Sequence, residues 1–553
     1  MTKLFDIYGY VGVVLHGFDL VAQTLLIGSV AFALWIVVPL EGSAQREMHR
    51  IAADTGRIVA FAAIAALVTA VASTSLNALV LSASIGASLT QVAGATFVVA
   101  GAVKAVAAAV VGTSARAGPT TRAWTRTAMG AGALVFLCAS VATTHAVARL
   151  DDSVVLAIST AMHELGAALW LGGLPCFRLA LKCAGTPHIA RQIGTRYSAQ
   201  SIAGVALIVC GAIVFAVRYI GSLGAVYGTA YGAMAATKTV LFGLLLLLGL
   251  ANFRAVRRFA VDLAATRRVA RFVEVEMGIG FAVLMAAASI TSLPPGVDLI
   301  EDRLTWLEIA ARMAPAPPRL TSPDRDTLAI PALQARLDAE ARQAGRSSRP
   351  QAFVPGEGVI PPHNASDLAW SEYNHHWAGL LVVAMGVAAL ARKSGRAPWA
   401  RHWPLLFLVL AAFLFLRADP EVWPLGDIGF FASLKDPEVV QHRIFVLLIV
   451  GFALFEWGVS TGRIVARPLK RVFPLLTALA ATLLLTHSHA LGNVKEELLI
   501  ELTHLPIAVL GVVAGWARWL EIEAPTEEGR WSGWIWPACF VLIGFLLLGY
   551  REA

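Results

Sequence analysis

Apolar residues in this chain run in long unbroken blocks, and the blocks recur along nearly its whole length. They fall at 10–40, 55–82, 88–112, 128–147, 154–180, 200–220, 229–250 and 272–293. After a polar interval they resume at 375–392, 403–417, 442–462, 473–488, 499–519 and 534–550. A helix crosses a bilayer with about 20 apolar residues, whereas a membrane β-barrel would alternate polar and apolar positions over segments of about 10. The continuous blocks therefore predict an all-α fold: a polytopic transmembrane helical bundle of about 14 spans, eight followed by six, as two fused bundles. Three regions follow: a membrane bundle at 1–293, a polar connector at 294–371 and a second bundle at 372–553.

Basic residues sit in alternate short loops. Arg46 and Arg50, Arg116 to Arg126, Lys182 to Arg196, and Arg254 to Arg271 share one side. The register continues through Lys393 to Arg401 and Arg463 to Arg471. Cytoplasmic loops carry the excess of Lys and Arg, so both termini and the connector are expected outside, in the periplasm if the cell has one. The connector is Pro-rich at Ala314–Pro318 and has one amphipathic stretch, Thr327 to Gln343. It reads as an extended link with a short helix and no core of its own.

Composition sharpens this picture. Of 553 residues, 57% are hydrophobic and 14% charged, against roughly 25% charged in an ordinary soluble domain. The net charge of +8 lies in inter-span loops and gives no sign of nucleic-acid binding. The five cysteines form no CxxC pair, so neither a disulfide framework nor a thiolate metal site is indicated. Methionines near the outer side are few, which argues against a thioether ladder for Cu(I). No P-loop and no phosphorylated-Asp loop is present, so the chain by itself is not expected to pump with ATP.

The histidines carry the most chemistry. Of 13, only His49, His188 and His402 fall on the cytoplasmic side of the predicted topology. His16, His145, His163, His363, His375, His376, His442, His487, His489 and His504 map to the outer side. A lone histidine at a span end is commonly an interface residue, but interfacial preference alone does not choose a side. Neutral imidazole is a ligand for copper, zinc, iron and nickel. Glu501 stands three residues before His504, Glu372 four before His376, and Asp19 three after His16, spacings that share a helix face. Each such carboxylate can ligate, orient the ring or form a plain helix-end ion pair. Ionisable residues deep in apolar blocks imply function by default. Glu164 and Lys238 are the deepest and could pair structurally, whereas Glu274 and Glu456 lie nearer the cytoplasmic ends. A weak repeat joins Thr144-His145 before His163 to Thr486-His487-Ser488-His489 before His504.

At His163 to Gly173, HELGAALWLGG, the chain resembles the copper resistance D family of bacterial inner-membrane proteins. WSEYNHHWAGL (Trp370 to Leu380), QHR (Gln441 to Arg443), THSHALGN (Thr486 to Asn493) and ELTHLP (Glu501 to Pro506) look like the C-terminal region of its long members. The resemblance implies copper handling at the periplasmic face, inward transport, and a separate periplasmic copper carrier as donor, since no soluble copper domain is fused here. It marks His145, His163, His376, His442, His487, His489 and His504 as candidate copper ligands, with Glu501 added from its spacing. Asp19, His16, Glu164 and Lys238 are the candidate path. Val513-Ala514-Gly515 replaces the Trp-x-Gly-Gly element in the second repeat. The chain is expected to be a carrier, not an enzyme. The alternative is a b-type haem protein with paired histidines as axial ligands, acting in electron transfer or metal reduction.

Overall fold

The computed structural model describes the chain except residues 1, 41–45, 118–122, 145, 146, 148, 150, 258–262, 324–364, 420, 421, 427, 435, 436, 487–493, 525, 526 and 553. The described residues are helical almost throughout; a single parallel bridge, Val422 to Ile428, is the exception. Among the described residues, thirteen helices are long and apolar enough to cross a membrane. The predicted Thr327–Gln343 helix, and most of the connector, lie outside the described residues.

The chain forms two compact units, one of residues 1–303 and one drawn chiefly from residues 304–553. The first holds eight spans: α1 (Tyr8–Leu40), α2 (Glu47–Ile85), α3 (Thr96–Arg116), α4 (Ala123–Val141), α5 (Ser153–Cys183), α6 (Pro187–Ile220), α7 (Ala230–Val256) and α8 (Ala265–Ile290). Helix starts follow local chemistry. Thr186 caps α6, accepting from Ile189 N at 3.4 Å ahead of Pro187, and Thr229 caps α7 through Gly232 N at 3.1 Å. Gly221, at φ +72°, closes α6 in a conformation that side chains resist.

Helix α1 packs on α2, α4, α5 and α8, so it is the centre of this unit. Its core with α2, α3 and α4 joins Leu26, Val30, Val59, Ala66, Val111 and Phe136. Lipid offers apolar groups as good as leucine, so spans associate through close packing of small residues. The crossing of α1 and α5 shows it. A Cβ on Gly172 would stand 1.9 Å from the Thr24 carbonyl oxygen, and one on Gly28 would stand 2.1 Å from that of Ala168. The two backbones touch directly, where α5 widens into a π-helical turn at Ala168–Gly172. Tyr197 donates to the Trp170 carbonyl, and Gln200 Nε2 to the Leu169 carbonyl at 2.9 Å, holding that turn from α6.

The second unit contains α9 (Leu368–Lys393), α10 (Pro398–Arg417), α11 (His442–Ser460), α12 (Val472–Leu484), α13 (Glu497–Glu523) and α14 (Gly529–Leu548). Its core is aromatic: Trp403 meets Trp536 at 5.3 Å, and Phe473 stacks on Phe452 at 5.0 Å. Helix α12 differs from the expected span at 473–488. With 13 residues it reaches roughly 20 Å at 1.5 Å per residue, short of a hydrocarbon core of about 30 Å. The described spans thus number eight and five.

Candidate functional site

Two polar clusters, one in each unit, contain most of the described candidate residues. In the first unit Asp19 of α1 forms a buried ion pair with Lys104 of α3 and accepts from Thr69 Oγ1 of α2 at 3.0 Å. Lys104 Nζ lies 5.1 Å from the centre of the Phe136 ring. One turn along α1, Gln23 donates to Glu164 Oε2 at 2.6 Å and accepts from Ser140 Oγ at 2.6 Å. The Asp19 group and the Gln23 group are thus neighbours one turn apart on α1, and together they draw on α1 to α5. An ion pair in a low-dielectric interior is held only with good geometry and extra hydrogen bonds, which Thr69 supplies here.

Lys238 makes no ion pair with Glu164; it faces His163 closely enough for their charges to interact. His163 turns away from Glu164, its Nδ1 on the Ile208 carbonyl at 3.1 Å and its ring 5.4 Å from Phe215. His16 is engaged in an interaction, and the ion pair of Asp19 is with Lys104. Sequence reading missed Lys104, Gln23 and Ser140. Lys104 could have been found, since it is the one basic residue within an Ala- and Val-rich block.

In the second unit the histidines of α9 meet the segment after α14. His376 Nδ1 accepts from the Arg319 backbone N–H at 2.7 Å, and its Nε2 donates to the Tyr550 carbonyl at 3.0 Å. Both ring nitrogens are thereby committed. Glu372 does not orient this ring; it is bridged to Arg319 at 3.4 Å and Arg551 at 3.3 Å. His375 donates Nδ1 to the Ser371 carbonyl at 2.9 Å and stacks on Tyr550 at 3.9 Å. His504 bonds the Ile500 carbonyl at 2.9 Å and meets the His375 ring edge-on at 6.3 Å. Glu501 is buried, Oε1 without a hydrogen-bond partner, and it feels Glu497 one turn before it. Burial and the neighbouring Glu552 carboxylate push the Tyr550 hydroxyl up from its ordinary range. Apart from these, His442 Nδ1 holds Asp419 Oδ1 at 2.6 Å.

Histidines 145, 487 and 489 lie outside the described residues. Among the described residues, no three His, Cys, Asp or Glu side chains converge in a group that could hold a metal ion. What the second unit offers is a pair of imidazoles with a buried carboxylate on the same helix as one of them. That is nitrogen and oxygen chemistry.

Residues 191–290 match the family model for copper resistance protein D, which bears out the resemblance read from the sequence. The matched stretch covers α6 to α8 and lies beyond the HELGAALWLGG element, against which it packs: a Cβ on Gly204 would stand 2.7 Å from the Gly166 carbonyl oxygen. The chain is similar to the copper transport protein CutJ of Bacillus subtilis (strain 168), 31% identical over 163 residues. That alignment covers 29% of this chain and 29% of the relative. No solved structure matches the chain. With thirteen helices able to cross a membrane and these relatives, the protein is a multi-pass protein of the bacterial inner (plasma) membrane.

Proposed function

From a chain with a copper resistance protein D region at residues 191–290, we propose that it carries copper inward across the membrane. Copper is cargo here, and the chain a carrier with no catalytic step. The observation that bears the most weight is the polar set of buried Asp19, Lys104, Gln23 and Ser140 with half-buried Glu164. Charged groups in a membrane interior are costly and are kept for ion pathways. In this reading the outer face of the second unit binds copper through its histidines, with His375 and Glu501–His504 as the described part. A periplasmic copper carrier delivers the ion, and Glu164 receives it within the first unit. Both termini face outward.

Radioactive copper uptake into proteoliposomes tests the route. Glu164→Ala should lower uptake to background while copper binding by the solubilised protein persists. Unchanged uptake in that variant refutes the path. Metal analysis and an absorption spectrum on purified protein test the cargo: copper without a Soret band is expected. A strong Soret band with iron would replace this reading by bis-histidine haem ligation.

A further inference from the structure

A second polar position lies between α7 and α8 in the first unit, apart from the Asp19 set and unused by the route above. Glu276 sits about midway along α8, and Asn252 of α7 lies beside it. Both are buried, at 2% and 6% exposure. Glu276 Oε1 and both polar atoms of the Asn252 carboxamide lack hydrogen-bond partners. Gly249 keeps the space open: a Cβ there would stand 3.3 Å from Glu276 Oε1 and 3.2 Å from Trp170 Cζ2.

The surroundings supply no counter-charge. From α6 the Tyr197 hydroxyl is near enough to interact with Glu276, but its proton is given to the Trp170 carbonyl. Helix α5 brings Trp170 and, next to Tyr197, the buried and uncharged Cys176. Arg178 and Arg271 are taken by Glu274, at 2.7 and 3.0 Å. Helix α1 meets α8 through Gly17 at Met285 and Phe18 at Phe281. An ionised carboxylate without a partner in such a place would cost several kcal/mol, on the order of the penalty for an unpaired buried ion. A cation must therefore accompany it. One carboxyl and one carboxamide give too few oxygens to enclose a hard metal ion, which takes about six ligands. A soft cation such as Cu(I) prefers sulfur and nitrogen. The proton is what remains.

We propose that Glu276, with Asn252 beside it, is a proton-binding site between α7 and α8 of the first unit that releases its proton as a copper cation passes and reloads afterwards. The coupling rests on the copper reading; the proton site does not. The step balances in charge: a cation entering the interior makes the Oε1–H bond break, and the proton leaves to water at one face as the positive charge arrives. Asn252 then donates its N–H to the carboxylate, and accepts from the acid when the proton returns.

Infrared difference spectroscopy of the full-length protein in liposomes tests the site. Wild type should show a protonated-carboxyl stretch that disappears as pH rises and is missing from Glu276→Gln. Absence of any such difference between the two proteins overturns the proposal. Asn252→Leu keeps the acid and should shift the pH at which the band disappears; an unshifted band removes Asn252 from the site. In proteoliposomes holding a pH-sensitive dye, external copper should drive a proton flux in wild type that falls to background in Glu276→Gln. A flux driven by sodium, and equal in both proteins, would overturn the assignment. Were wild-type vesicles to take up no copper, the copper reading would fall, and the infrared band would still decide the proton site.

Discussion

Replacing Lys104 by Met isolates the weight of the buried ion pair. The Asp19 carboxylate accepts from Lys104 and from Thr69, the latter at 3.0 Å, and it is buried. Lys104→Met leaves one neutral hydrogen bond to hold a full charge inside the bundle. Breaking a buried pair by removing one partner costs about 3–5 kcal/mol, whereas replacing both partners is often neutral. The Met side chain still reaches the Phe136 ring that Lys104 covers, so packing loss adds little. Lys104→Met should therefore lose about 3–5 kcal/mol, and Asp19→Asn with Lys104→Met should lie within about 1 kcal/mol of wild type. Reversible unfolding in mixed detergent–SDS micelles, followed by intrinsic fluorescence, gives both values. A single variant as stable as wild type, or a double variant as unstable as the single, refutes the argument that the charge left behind is what costs.

The glycine crossing makes a second prediction. Gly172→Ala sets a methyl against the Thr24 carbonyl, backbone on backbone, and should destabilise by about 1–3 kcal/mol or more. Gly243→Ala, with nothing within 4 Å of its Cβ, should be neutral or stabilising by up to about 1 kcal/mol in the same assay. His376→Ala strips partners from the Arg319 N–H and the Tyr550 carbonyl, at about 1–3 kcal/mol for each group left unsatisfied. Copper content should not change; lost copper would show that His376 gives up one of those bonds to bind metal. At the short helix Trp306–Arg312, the Thr305 backbone N–H and hydroxyl hold the Glu308 carboxyl below its ordinary range. A depressed carboxyl stabilises above its unfolded value and loses that contribution as pH falls through its folded one. Protection of the Trp306–Arg312 amides, taken relative to the intrinsic exchange rate at each pH, should accordingly fall on acidification, and Glu308→Gln should remove most of that pH dependence.

The spans were legible because solvation by lipid imposes one rule on every residue of a block. Helix α12 escaped that rule: its apolar block continues past Leu484, but the described helix stops there. Asp19 and Glu164 were legible as charges in apolar blocks, but their partners were not. Spacing along one helix suggests i, i+3 and i, i+4 neighbours, and it pointed Asp19 to His16 and Glu372 to His376. The actual partners, Lys104 for Asp19 and Arg319 for His376, come from other helices or from the connector. Burial makes such long-range bonds compulsory without saying which chain segment supplies them. Glu276 was hidden for a different reason. It follows Glu274, which pairs with Arg178 and Arg271, by only two residues, and two residues on a helix is more than half a turn.

The contact of Gly28 and Gly172 has a thermal consequence. Packing between side chains freezes rotamers, and that entropy is regained when the contact loosens, so warming favours its release. At this crossing the touching atoms are backbone, with no side-chain torsion to free. Its cohesion comes from dispersion and Cα–H···O contacts. Heating therefore finds little side-chain entropy to release at this joint, and α1 and α5 stay seated on each other there while the helices around them begin to loosen.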